Sequence, residues 1–281
     1  MHDTSSRLIK IWFDYMNLDY FLLPFFKQKQ HEDSLKKTKI ENNVEKKIPG
    51  VKTPKLGTFK ITLLKAKEMQ SDICDPLVEK TRKLADKIEN LEDLYTSIKN
   101  FDECPLKHTS KNTVIFDGVP SAAIMLIGEA PGAQEDEKGI PFCGDSGKLL
   151  DSILSSIGLS RQQNVYISNT VFWRPPANRK PTDLEVGICR PFVEKHISLI
   201  RPKLLVLVGS TALNAILGQE KQISKDRSQY YEYTNRYLKQ PIATTSIFHP
   251  AYLLRQPMKK KDMWFDMLTI KKVLQGNLIS Q

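Results

Sequence analysis

Beyond residue 120, short apolar runs alternate with longer amphipathic stretches. Ala122–Ile127, Asn164–Val171, Lys203–Val208 and Ile242–Ile247 have the length and composition of strands, and the first and third are apolar enough to be buried on both faces. Between them the spacing predicts helices over Ser146–Leu159, Thr182–Ile200, Ser210–Leu217 and Asp262–Val273. In the first of these Leu150, Leu154 and Ile157 share a face, with Asp145 as its N-cap. Thr182-x-x-Glu185 is a capping box that opens the second, and Pro191 predicts a bend inside it. Strands alternating with helices predict a mostly parallel sheet covered on both faces.

Upstream the pattern is weaker. Pro76–Phe101 sets Leu84, Ile88, Leu91, Leu94 and Ile98 among charges, which predicts one or two amphipathic helices. Thr113–Phe116 reads as a short strand and Thr58–Lys67 as a short strand pair. Ser5–Phe26 carries a helical stripe that includes Leu8, Trp12, Tyr15 and Phe21. It reads as a helix packed on the protein's own core, as a membrane-surface helix, or as one that docks a repair or replication partner. Lys27–Leu56 is rich in Lys, Asn, Glu and Gln and reads as a linker. The expected organisation is a helix over 1–26, a linker or flexible insertion over 27–75, and one domain over 76–281 with its core at 101–274.

The chain has 281 residues, enough for one to two domains. Its 42 Lys and Arg against 32 Asp and Glu give a net charge of +10, which points to a polyanionic partner. The four cysteines, Cys74, Cys104, Cys143 and Cys189, are too few and too scattered for a disulfide scaffold. A reducing, cytoplasmic compartment is expected. No apolar run approaches membrane-span length, so no membrane partner is expected. A monomer is the default.

The glycines of Gly128-Glu129-Ala130-Pro131-Gly132 fall where the first strand must end, followed by Glu135, Asp136 and Phe142. GxGxxG and the P-loop lysine are both absent, which argues against a dinucleotide or nucleotide phosphate site. Two other predicted strand ends carry Asn169 and His249. Open α/β sheets gather such residues in one crevice at the carboxyl ends of the strands. An aromatic face, an amide and an imidazole suit a nucleobase: the ring stacks, the amide reads the Watson–Crick edge, and the imidazole donates to an oxygen gaining charge. The loop Trp173-Arg174-Pro175-Pro176-Ala177-Asn178-Arg179-Lys180 has three cations for phosphate contacts. Leu253-Leu254-Arg255 offers a leucine wedge and a further cation.

These motifs, in this order, resemble the family 4 uracil-DNA glycosylases of the wider uracil-DNA glycosylase superfamily, over roughly Phe101 to Leu274. The markers include Gly139-Ile140-Pro141-Phe142-Cys143-Gly144, Cys189-Arg190-Pro191-Phe192 and His249-Pro250-Ala251-Tyr252-Leu253-Leu254-Arg255. The resemblance implies a three-layer α/β/α sandwich around a four-stranded parallel sheet, with a helical N-terminal extension added here. It implies hydrolysis of the N-glycosidic bond of uracil in DNA, leaving an abasic site, with U·G mispaired or single-stranded uracil as substrate. Phe142 would stack on the flipped base, Asn169 read its edge, and His249 stabilise the departing anion. Gly128, Glu129 and Ala130 would floor the pocket, and Glu135 would exclude a 5-methyl group. Arg174, Asn178, Arg179, Lys180, Leu253, Leu254 and Arg255 would hold the DNA. The rival reading is a DNA-binding or polymerase-associated module on the same fold with weak or no catalysis.

The chain departs from better-known relatives at Ala130, where family 1 enzymes carry a water-positioning Asp; Glu129 is the expected substitute. It also departs at a cofactor site. The family 4 pattern holds a 4Fe–4S cluster on four cysteines, but here only Cys104 and Cys189 match, with Phe101 and Trp173 at the other two places. A cluster wants four thiolates, so no cofactor is expected, with the two rings as an apolar plug and the two cysteines as vestiges.

Overall fold

The computed structural model describes residues 63–65, 75–218 and 221–276. The predicted helix at 1–26 and nearly all of the predicted linker lie outside them. In chain order the elements are β1 (Leu63–Lys65), α1 (Pro76–Asp86), α2 (Leu91–Asn100), β2 (Asp117–Gly118), β3 (Ile124–Gly128), α3 (Ala133–Lys138) and α4 (Asp145–Ser155). Then come β4 (Val165–Asn169), α5 (Asp183–Ile200), β5 (Leu204–Val208), α6 (Ser210–Leu217), α7 (Ile223–Asp226), β6 (Tyr230–Tyr233), β7 (Ile242–Ile247), α8 (Pro250–Arg255) and α9 (Lys260–Leu274).

Among the described residues one sheet runs β1-β6-β7-β5-β3-β4-β2. Its centre, β7-β5-β3-β4, is the expected four-stranded parallel sheet. Two flanking strands, β2 and β6, pair antiparallel to it, and β1 joins β6 in parallel as the outer edge. Every residue of β3, β4 and β5 is buried, so helices cover both faces. Met125, Ile127, Leu205 and Leu207 face α1, α2 and α5 in one core, with Leu94, Ile98, Ile188, Phe192 and Ile197. On the other side α4 packs against α8 and α9. The strand order turns back on itself at β3: its successor β4 lies on one side and β5 on the other. That reversal opens a crevice at the carboxyl ends of the strands.

The local signals explain most boundaries. Thr182 caps α5 by accepting from the Glu185 amide, and Glu185 Oε2 accepts from the Thr182 amide at 2.7 Å. Pro191 lies inside α5 as expected. The 76–101 stretch is two helices, each opened by a side-chain cap, Asp75 and Asn90. Three expectations shift: the strand predicted at Thr113–Phe116 is the two-residue β2 at Asp117–Gly118, the N-cap of α4 is Gly144 rather than Asp145, and the Thr58–Lys67 pair is represented by β1 alone among the described residues. No described helix is long and apolar enough to cross a membrane.

Candidate active site

All four parallel strands end at one cavity of about 770 Å³, within the roughly 300–1,000 Å³ of ligand clefts. Glu129–Gly132 follow β3, Asn169 closes β4, Gly209 and Ser210 follow β5, and Phe248 and His249 follow β7; all line it. The sheet thus brings Glu129, Glu135, Phe142, Asn169 and His249 together, although they span 120 residues of sequence.

Asn169 pairs in register with Gly128 across β3 and β4. Its side chain is almost fully buried, and its Oδ1 has no hydrogen-bond partner in the protein. An unpaired buried acceptor costs about 1–3 kcal/mol unless a ligand satisfies it. The Phe142 ring lies over the same spot: a Cβ on Gly128 would come within 2.5 Å of Asn169 Oδ1 and of two Phe142 ring carbons. Gly128 does not itself line the cavity; it leaves room for the ring beside Asn169, and glycine is needed there for space rather than for backbone angle.

Phe142 holds a left-handed backbone, φ 52°. For an aromatic residue that costs of order 1–3 kcal/mol and persists only where the surroundings enforce it. The turn is held from two sides. Glu135 Oε2 accepts from the amide of Gly132 (3.1 Å) at the start of α3, and its Oε1 accepts from Cys143 and Gly144 (2.9 Å each), so the carboxylate ties α3 to the loop after Phe142. From behind, the buried guanidinium of Arg161 donates to the carbonyls of Pro141 and Phe142, each at 2.9 Å. Sequence reasoning passed over Arg161, because a single arginine in a polar turn carries no local signal.

The His249 ring sits 5.7 Å from the Phe142 ring, tilted by 31°. His249 is also the N-cap of α8: its Nδ1 accepts from the Ala251 amide at 3.2 Å. A backbone N–H can only donate, so the neutral imidazole carries its proton on Nε2. Burial pushes the His249 pKa below its ordinary value, while the charge of Glu129 works against that shift. The ring is thus a neutral donor. Gly209, at φ 92°, brings the β5 end against it: a Cβ there would lie 3.1 Å from His249 Cβ.

Around the mouth stand Asn178, Arg179, Lys180, Tyr252 and Arg255. Arg179 is committed to a bidentate pair with Glu185, at 2.8 and 2.6 Å, which raises its pKa and lowers that of Glu185. Arg174 does not line the cavity; its Nε donates to Asn178 Oδ1 at 2.8 Å and shapes the loop. The expected leucine pair is split, since Leu253 is fully buried and Leu254 is exposed. The helical turn of α8 turns one leucine into the core, so a wedge is left to Leu254. Ser210 and Tyr252 are cavity residues that the sequence reading did not single out. Ser210 was reachable from its place after a predicted buried strand.

The profile of the "Uracil DNA glycosylase superfamily" matches residues 116–269. The chain is 37% identical to a type-4 uracil-DNA glycosylase of Archaeoglobus fulgidus, over 65% of this chain and 92% of that protein. It is 35% identical to one of Pyrobaculum aerophilum, over 63% of this chain and 91% of that protein. A DNA polymerase of Bacillus phage SP01 is 27% identical over 64% of this chain and 18% of its own length.

The type-4 relatives correct the expectation that the chain has no cofactor. The pattern of that family, as given above, holds a 4Fe–4S cluster on four cysteines, and a cluster is therefore what the family implies. The residues at its place meet the pattern in half. Cys104 and Cys189 are buried; the neighbouring Cys189 thiol holds the Cys104 pKa down, while burial pushes that of Cys189 up. Phe101 and Trp173 stack at the other two places with ring centroids 6.5 Å apart. The expectation weighed the two rings above the pattern of the family, and two buried thiols remain beside those rings.

Proposed function

The chain belongs to the uracil-DNA glycosylase superfamily, and from that premise we propose how its cavity carries out the reaction. It is a DNA repair glycosylase: it binds DNA and hydrolyses the N-glycosidic bond of uracil, leaving an abasic site. The observation that carries the assignment of roles is the buried Asn169 Oδ1 with no partner, set beside the Phe142 ring and His249.

A uracil turned out of the stack lies against Phe142, and its N3–H meets Asn169 Oδ1. Cytosine presents a bare acceptor at N3, so it leaves that oxygen unpaired and meets a repulsive contact instead. As the glycosidic bond stretches, electrons move onto the base and charge grows on O2. His249 Nε2–H donates to that oxygen and stabilises the anion, with no proton transfer needed. The sugar becomes cationic, and Glu129 stands where it can orient a water and oppose that charge. Glu135 fixes the wall that the 5-position of the base meets, so that a methyl group has no room.

At the mouth Lys180 and Arg255 contact phosphates, Arg179 and Asn178 shape the loop that presents them, and Leu254 enters the vacated stack. Because flipping costs least at a mismatch or in a single strand, U·G and single-stranded uracil are the favoured substrates, acted on by a monomer. The match to a phage DNA polymerase favours a second reading, a polymerase-associated module. It explains the DNA contacts but not an unpaired amide oxygen beside a neutral donor.

The test is excision from labelled oligonucleotides with one uracil opposite G, opposite A and unpaired, by wild type, His249→Ala and Asn169→Ala. Alkali-labile product that falls sharply in both variants is expected. Intact DNA binding with no product on any substrate would favour the second reading.

A further inference from the structure

Arg161 lies in the turn between α4 and β4, outside the motifs and outside the cavity lining, yet its side chain is only 8% exposed. Burying a guanidinium is costly unless it is both paired and hydrogen-bonded. Here it is both. Nε donates to Asp151 Oδ1 on α4 at 2.9 Å, and Nη1 donates to Asp117 Oδ2 on β2 at 2.8 Å. The same group then spends two donors on consecutive carbonyls, Pro141 and Phe142, at 2.9 Å each. A planar fork reaches two neighbouring carbonyls at once; a lysine ammonium on its single stem does not. On the other side of the Phe142 carbonyl is Gly147 of α4, where an added Cβ would lie 1.8 Å from that oxygen.

We propose that Arg161 is a positioning residue for base excision: by clamping the Pro141 and Phe142 carbonyls it holds Phe142 in its left-handed turn, with the ring seated on Gly128 beside Asn169 and His249. The inference rests on the reading of Phe142 as the stacking wall. A purely structural arginine would support the fold and leave the base site of every folded molecule unchanged. A positioning arginine sets how tightly that site grips uracil.

The experiment uses the full chain as wild type, Arg161→Gln, Arg161→Lys, Phe142→Ala and the double variant Arg161→Gln/Phe142→Ala. Three quantities are read: inhibition by free uracil, the single-turnover excision rate per folded molecule, and affinity for a duplex with a tetrahydrofuran abasic site. The expected result is at least a tenfold rise in the uracil inhibition constant and at least a tenfold slower excision in Arg161→Gln, with abasic-DNA affinity within threefold of wild type. Arg161→Lys should resemble Arg161→Gln, because charge without the fork does not clamp. The double variant should be within threefold of Phe142→Ala, because both act through one ring. If Arg161→Gln does not fold, Asp151→Asn loosens one anchor of the same clamp and should raise the uracil inhibition constant.

Unchanged uracil inhibition in the folded Arg161 or Asp151 variants, wild-type values in Arg161→Lys, or multiplied losses in the double variant would each overturn the proposal. Phe142→Ala separates the two layers. Unchanged uracil inhibition in that variant removes the stacking reading and the clamp with it. A raised constant there, with Arg161 variants unaffected, removes the clamp alone.

Discussion

Gly128→Ala adds one methyl group between the Phe142 ring and Asn169, and its effect follows from the geometry. The new Cβ would stand 2.5 Å from Asn169 Oδ1 and from Phe142 Cε2 and Cζ. Carbon atoms rest about 3.5–4.0 Å apart, so ring and amide must together give way by about 1 Å. The backbone at Gly128 is an ordinary strand conformation, so alanine brings crowding without torsional strain. Crowding of this kind costs about 1–3 kcal/mol of stability, and about 2–4 °C in Tm per kcal/mol for a domain of this size, which leaves the protein folded. Catalysis is hit harder, since a misplacement of about 1 Å costs roughly 100-fold. Single-turnover excision at saturating enzyme, corrected for folded fraction by thermal unfolding, measures it. An alanine variant within threefold of wild type would show that Phe142 does not need its seat on Gly128, and the stacking role would fall with it.

His249→Ala removes the donor that the proposed mechanism sets on the departing base and should slow excision by roughly 100- to 1,000-fold with DNA binding retained; a loss under tenfold would take His249 out of the chemistry. Burial lowers the His249 pKa, so the midpoint of its protonation lies below the ordinary 6.5 and any fall in rate from charging the ring should be centred below that pH; a decline centred at or above pH 7 would refute the neutral ring. His196, fully buried with Nε2 2.5 Å from the Tyr166 hydroxyl, has its pKa pushed down to about 3 by burial. The unfolded chain takes up that proton near 6.5 and the native one does not, so the stabilisation present above pH 6.5 is lost as pH falls toward 3, up to about 5 kcal/mol. Urea unfolding at pH 7, 5 and 4 reads this loss, and His196→Gln should flatten it; equal slopes in both proteins would refute the assignment. Leu253→Ala should cost about 2–5 kcal/mol of stability, whereas Leu254→Ala should leave the Tm in place and slow excision from duplex more than from single strands; the reverse pattern would overturn the split of the pair.

The parallel centre of the sheet was legible because strands buried on both faces have to be apolar throughout, as Ile124–Ile127 and Leu204–Val208 are. The capping box at Thr182 and Glu185 was legible because its partners lie three residues apart. The tyrosines of β6 were not: they lie among Glu232, Lys239 and Arg236, and are buried only because β7 receives them. Nor was α3, whose Gln134-Glu135-Asp136-Glu137-Lys138 reads as solvated loop until Glu135 and Asp136 turn inward to accept from backbone amides. The site residues at strand ends were legible because topology converges them. What escaped, Arg161 above all, owes its place to carbonyls and carboxylates from distant parts of the chain, which no window of sequence contains. The cofactor was misread because two ring substitutions were weighed above the family pattern that the rest of the chain follows.

The hydrogen bond from the Ala251 amide to His249 Nδ1 has a consequence for what counts as a substrate. The six-residue helix that this bond opens also carries Leu254 and Arg255. On the proposed roles, a DNA strand held by Leu254 and Arg255 bears on the same helix that His249 caps, which a lone nucleoside in the cavity does not. Excision of uracil from DNA should therefore outpace release of uracil from free deoxyuridine.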